Sequence, residues 1–240
     1  MPNLPFPYTI RRSARSVKVR ITVTHDKVEV IAPAKVAEQK LVQFVHEKQH
    51  WIISALAKVA EKNHTYNPFT PLFYGEGAKI PYRGELVELT IKPSTLKRLK
   101  ITLVDGLVAH VPKTLPVNEH NDAIKMALIS WMKMQAKLHV QQLVQQHAHK
   151  KQLLPRTIVI KQQKSRWGSC GIHNDISINW LLILAPPEIL EYVVVHELCH
   201  IQVRNHSARF WALVAEHLPY YQQHRRWLKE QGASLIRGFD

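Results

Sequence analysis

Tyr192-Val-Val-Val-His196-Glu197-Leu-Cys-His200-Ile-Gln-Val-Arg-Asn-His206 runs from an apolar stretch into two histidines four positions apart. On an α-helix that spacing stacks both imidazoles on one face, one turn apart, where both can reach a single ion. Glu197 projects beside them, and His206 offers a third imidazole six residues on. Three nitrogen ligands leave the fourth position of a tetrahedral zinc open for water, which marks a catalytic site. In a chain of this composition H-E-x-x-H is expected by chance ~0.05 times, and ~0.003 times with the third histidine. A carboxylate beside two stacked imidazoles on an apolar helix is also costly without a cation. The stretch predicts a metal centre of His196, His200 and His206 holding one Zn2+ per chain, with Glu197 as the catalytic general base.

Pro186-Pro187-Glu188 opens this helix, since proline suits the first turn and a carboxylate favours its positive end. The ligand spacing equals that of the metzincins, but Val203 stands where those enzymes turn the chain through glycine, and a β-branched residue resists positive φ. The turn is therefore expected at Asn205 in the left-handed region, with Ser207 capping a following helix that carries Phe210 and Trp211. Glu216, on that helix, is the rival third ligand. Cys199 points away from the histidine face and reads as packing, as does Cys170. Two cysteines make no disulfide framework and fit reduced thiols in a cytoplasmic protein. His173 and His217 default to surface or core.

Hydrolysis also needs a donor for the developing negative oxygen. The loop Lys164-Ser-Arg-Trp-Gly-Ser-Cys170 supplies cations, with Arg166 the catalytic candidate and Lys164 a substrate-binding one.

Upstream, Val17, Val19, Ile21 and Val23 alternate, His25-Asp26-Lys27 turns, and Val28, Val30 and Ala32 resume, which predicts a hairpin. After Pro33 one amphipathic helix is expected to bury Leu41, Phe44, Val45, Trp51, Ile52 and Leu56. Leu99, Ile101 and Leu103, the Asp105-Gly106 turn, and Leu107, Ala109 and Val111 repeat the pattern before Pro112 and a helix with Ile124, Leu128 and Trp131, ending near His149. Thr157–Ile160 and Ile176–Trp180 read as strands, with Lys164–Gly171 as a loop between them. The expected organisation is α+β: hairpin-helix units at 1–62 and 82–150 joined by a turn-rich connection at 63–81, then a zincin-like metallohydrolase domain at 151–240.

The 240 residues carry a net charge of +15. The excess lies outside the last quarter. Arg11, Arg12, Arg15, Lys18 and Arg20 form one acid-free basic stretch, and Lys150, Lys151, Arg156, Lys161, Lys164 and Arg166 another. Such a balance favours a polyanionic partner, nucleic acid among them. The composition excludes disordered, collagen-like and coiled-coil classes. The longest apolar run, Trp180–Pro187, is far short of the roughly 20 residues of a membrane span, and the proline-broken N-terminus has no secretory pattern, so no membrane role is expected.

Lys164-Ser-Arg-Trp-Gly-Ser-Cys170, Ile178-Asn-Trp180, Ala185-Pro186, the histidine helix and Asn205-His-Ser through Phe210-Trp211 together resemble the YgjP-like family of zinc metallopeptidases, itself similar to the SprT-like and WLM proteases. The resemblance implies a zincin-type α/β fold, zinc on His196, His200 and His206, and Glu197 as general base; Trp167 and Asn179, which lie within the quoted motifs, are further substrate-binding candidates. It also implies kinship with proteases that act on DNA-bound proteins, and an assignment to nucleotide pyrophosphate hydrolysis exists within the family. Peptide and nucleotide are thus the two substrate classes. A metallopeptidase ranks first, a nucleoside triphosphate pyrophosphohydrolase second, and a nucleic-acid-binding protein with a structural or vestigial metal site third.

Overall fold

The computed structural model describes residues 6–23, 28–64, 67–149 and 152–239. The His25-Asp26-Lys27 turn, the first five residues, and Lys150 and Lys151 lie outside them. The architecture is α+β, and contacts divide the chain into two compact units, 1–66 and 67–240.

In the first unit β1 (Thr9–Arg12), β2 (Arg20–Val23) and β3 (Val28–Ala32) form a sheet ordered β1-β3-β2, with β1 parallel and β2 antiparallel to β3. Alternation turns the row Ile10–Val30–Ile21 inward onto Leu41, Val45 and Ile52. The single helix expected after Pro33 is two, α1 (Glu38–Glu47) and α2 (Gln49–His64), because Lys48 leaves helical geometry at φ −94°, ψ 5°. The break rephases the second helix. Ile52 takes the inward place, and Trp51, expected in the core, is 52% exposed. Val17, expected in a strand, sits in the loop before β2 and is exposed.

The second unit begins with β4 (Lys79–Tyr82), β5 (Glu85–Ser94), β6 (Lys100–Leu103) and β7 (Leu107–Pro112), ordered β4-β5-β7-β6. Arg83 and Gly84, at φ 53° and 84°, make the tight turn joining β4 to β5. The 29-residue α3 (His120–Ala148) follows. Then β8 (Thr157–Lys161), β9 (Gly168–Cys170) and β10 (Asp175–Asn179) form a sheet ordered β8-β10-β9, and a 3₁₀ turn at Trp180–Leu184 leads to α4 (Pro187–Cys199), α5 (Ala208–His217) and α6 (Tyr221–Leu235). One buried cluster runs from Phe69 to Phe239, so the β5–β7 segment and the histidine helix share a core. Trp131, fully inside it, packs its ring 5.1 Å from that of Tyr82. Among the described residues no helix is long and apolar enough to cross a membrane.

Two expectations change here. The loop expected over Lys164–Gly171 contains β9, a Gly-Ser-Cys strand with no β-propensity signal, held by pairing to β10. Trp180, expected to end a strand, starts the 3₁₀ turn instead, capped by Asn179, whose Oδ1 accepts from the Leu181 N–H at 3.3 Å.

All three sheets repeat one order and sense: a first strand parallel to a central third, and a second strand antiparallel on its other side. In the first two the correspondence extends to side chains. Inward rows are Ile10–Val30–Ile21 and Ile91–Ala109–Ile101. Outward rows are Thr9–Glu29–Thr22 with Arg11–Ile31–Arg20, and Thr90–Val108–Thr102 with Lys92–His110–Lys100.

Candidate metal centre

Helix α4 starts with Pro187 in its first turn and buries Ile189, Leu190, Tyr192, Val193, Val194, Val195, Leu198 and Cys199 on nearly every side. That burial fixes the helix and makes its single polar face exact in position. His196 and His200 stand on that face with ring centroids 4.9 Å apart. His200 sits at the helix end, where its Nδ1 donates to the Val203 carbonyl at 3.0 Å, leaving the Nε2 lone pair for a ligand role. The chain then returns so that His206 Nε2 lies 3.1 Å from His196 Nε2. The return is not made as expected: Asn205 is not in the left-handed region, and its Oδ1 instead accepts from the Ser207 N–H at 3.3 Å, while the Ser207 side chain makes no cap bond. A side-chain-bonded turn needs no positive φ, so Val203 is accommodated.

One ligand atom from each of His196, His200 and His206 lies within 4.8 Å of the others. Two imidazole nitrogens on one tetrahedral ion stand about 3.3 Å apart, close to the 3.1 Å between His196 and His206. Glu216 is outside this group; it is exposed, and its charge is felt at Cys199. Burial holds the His196 imidazole down to about 3, helped by the neighbouring His200, His206 and Arg225, and burial likewise lowers His200. Both rings are therefore neutral near pH 7, the form that binds a metal. Burial pushes the Cys199 thiol up to about 12, which keeps it protonated and out of the ligand set.

Phe210, fully buried at the start of α5, stacks on His200 at 4.4 Å and meets His196 and His206 edge-on. Trp211 stacks on His206 and on Tyr221, with the Arg225 guanidinium over its ring at 4.7 Å. These rings set the imidazole planes.

Glu197 is 6% exposed and faces β9. A Cβ on Gly168 would lie 2.6 Å from Glu197 Oε1, so the carboxylate occupies the space a side chain would fill. Burial raises Glu197 to about 7, with the Arg166 charge opposing. Such a carboxyl can take and release a proton near neutral pH.

The remaining sequence candidates separate. Arg166 and Lys164 are exposed on the loop before β9, Arg166 near enough for its charge to act on Glu197. Trp167 is half-buried, its indole filling the space beside Gly232 of α6. Asn179 is fully buried, and its Nδ2 donates to the Gln163 and Arg166 carbonyls at 2.8 and 3.3 Å. Trp167 and Asn179 thus support the loop from behind. Sequence reasoning passed over Gly168, Arg204 and Arg225. Arg204 donates to the carbonyls of Gly171 and Ile172 at 2.7 and 3.3 Å and ties down the β9–β10 connection. Only their positions in space, not their spacing, single them out.

The sequence model for the YgjP-like, metallopeptidase domain matches residues 17–231. The chain belongs to the YgjP-like family. The match begins before β2 and ends within α6, so it takes in most of the first unit as well as the histidine site. No curated protein matches the chain. YgjP-like membership supports a metal-dependent hydrolase in general, with a divalent ion as cofactor. The three-imidazole donor set fits such an ion.

Proposed function

We propose that this YgjP-like chain is a zinc-dependent peptidase of zincin type, with zinc on His196, His200 and His206 and Glu197 as general base. The observation that carries the reading is the buried Glu197 carboxylate, given room by Gly168, beside three converging imidazoles. Zinc in that set supplies Lewis-acid chemistry. Glu197 takes a proton from the attacking water and returns it to the leaving nitrogen. Arg166, exposed at the mouth, stabilises negative charge that develops on the substrate oxygen. β9 is an edge strand beside Glu197, and an extended peptide added to that edge would pass the site.

Exposed Lys164 and Arg166 favour a second reading, hydrolysis of a nucleoside triphosphate held by its phosphates. Mass-spectrometric product analysis of the zinc-loaded protein with unfolded protein and nucleoside triphosphates together separates the two. Peptide fragments that disappear in Glu197→Gln are expected. Nucleoside monophosphate and pyrophosphate, with the protein substrate intact, would replace the peptidase reading by the second.

A further inference from the structure

The outward faces of the first two sheets match on the two strands that flank the central one, while the central positions differ, Glu29 and Ile31 in one against Val108 and His110 in the other. Each has a threonine on both outer strands, Thr9 and Thr22 in one, Thr90 and Thr102 in the other. One row on, each has a cation on both outer strands: Arg11 and Arg20 flank Ile31, and Lys92 and Lys100 flank His110. Cations on strands either side of a central one stand about 10 Å apart, two interstrand spacings. All four are exposed.

The loop between first and second strands extends the basic end in both sheets. In the first it holds a hollow of about 320 Å³ lined by Ser13, Arg15, Ser16, Val17, Lys18 and Arg20. In the second it carries Lys97 and Arg98. Arg11 pairs with Glu29 at 3.2 Å, but no carboxylate of the described residues pairs with Arg15, Lys18, Arg20, Lys92, Lys97, Arg98 or Lys100. Unpaired cations beside hydroxyls suit phosphate oxygens. The rows hold no Phe, Tyr or Trp ring on which a base could stack, and the His110 ring is half-buried and within 3.0 Å of the Thr102 hydroxyl. The rows also hold no large exposed apolar side chain that would enter a lipid surface; the adjoining loops expose Val17 and Leu96, one in each.

We propose that the basic ends of these two sheets bind the phosphate backbone of nucleic acid without reading its bases. The net charge of +15 supplies the long-range attraction, and the matched rows supply the contacts. The binding requires neither the metal nor Glu197, so it stands or falls apart from the peptidase reading.

The test is fluorescence anisotropy of the full chain with labelled 30-nucleotide single strands of several sequences, the matching duplex, and phosphatidylserine vesicles, across a salt series. Arg11→Gln/Arg20→Gln and Lys92→Gln/Lys100→Gln are compared with Lys137→Gln/Lys229→Gln, an exposed pair of equal charge on α3 and α6. Each sheet pair is expected to weaken single-strand binding about 25-fold at 100 mM salt and to flatten the log K against log salt slope by about 1.4, equally for all sequences. The control pair is expected to change neither by half as much. Lys92→Arg/Lys100→Arg keeps wild-type binding, which separates lost contacts from lost folding. Equal losses from sheet and control pairs, vesicle binding without nucleic-acid binding, or strong preference for one base sequence would each overturn the proposal.

Discussion

The β5–β7–β6 sheet and the β8–β10–β9 sheet are built alike and used differently. Both set a first strand parallel and a second antiparallel to the central one, and both turn a row of side chains toward the helices. In the former that row is Ile91–Ala109–Ile101; in the latter it is Ile160–Ile178–Gly168. Where Ile101 fills the core, Gly168 leaves a space, and Glu197 enters it. One missing side chain on an edge strand turns a packing surface into one wall of a candidate active site.

That contrast predicts opposite costs for opposite changes. The largest effect is expected from Gly168→Ala, whose Cβ displaces the Glu197 carboxylate. Peptide cleavage should fall at least about 100-fold, the range for loss of a general base, while circular dichroism and bound zinc stay at wild-type levels. Unchanged cleavage would break the comparison.

The mirror change, Ile101→Ala, removes buried volume where no function sits. Denaturant unfolding should show a loss of about 2–5 kcal/mol, with kcat of the remaining folded protein unchanged. A collapse of kcat would mean that the two sheets are not separable in role.

Asn179→Ala sharpens the account of the loop. It deletes both Nδ2 bonds to the Gln163 and Arg166 carbonyls and the cap on Leu181. Stability should drop by about 1–3 kcal/mol, and cleavage should fall through misplaced Arg166 in kcat more than KM. A direct substrate contact would lower affinity without the stability loss.

The smallest effect concerns Asp175, whose carboxyl is held at about 2, chiefly by its bond from Arg156 and then by Thr157. A depressed folded value stabilises above the unfolded pKa of about 4 and is lost as pH falls through 2. Acid unfolding of Asp175→Asn should therefore differ from wild type above pH 4 and converge with it below pH 2. Parallel curves over that range would remove Asp175 from the ties between β8 and β10.

The histidine helix was legible because its signals are local. Pro187 at the start, an apolar run, and His196 and His200 four apart need only helical geometry to become a site. The third histidine of the cluster was legible as spacing, while the route to it was not: Asn205 turns the chain with its side chain and no positive φ, which sequence pattern does not distinguish. Strand β9 was hidden because Gly-Ser-Cys takes its conformation from its partner. Gly168 was hidden with it, since its meaning lies in what fills the missing side chain's place. Trp51 misled because the amphipathic period was read through Lys48, where the helix breaks.

The most direct test of the central claim measures bound zinc and peptide cleavage together for Glu197→Gln and His196→Ala. The account predicts that Glu197→Gln keeps one zinc per chain and loses cleavage, and that His196→Ala loses both. Wild-type cleavage by Glu197→Gln, or full zinc content in His196→Ala, would contradict it.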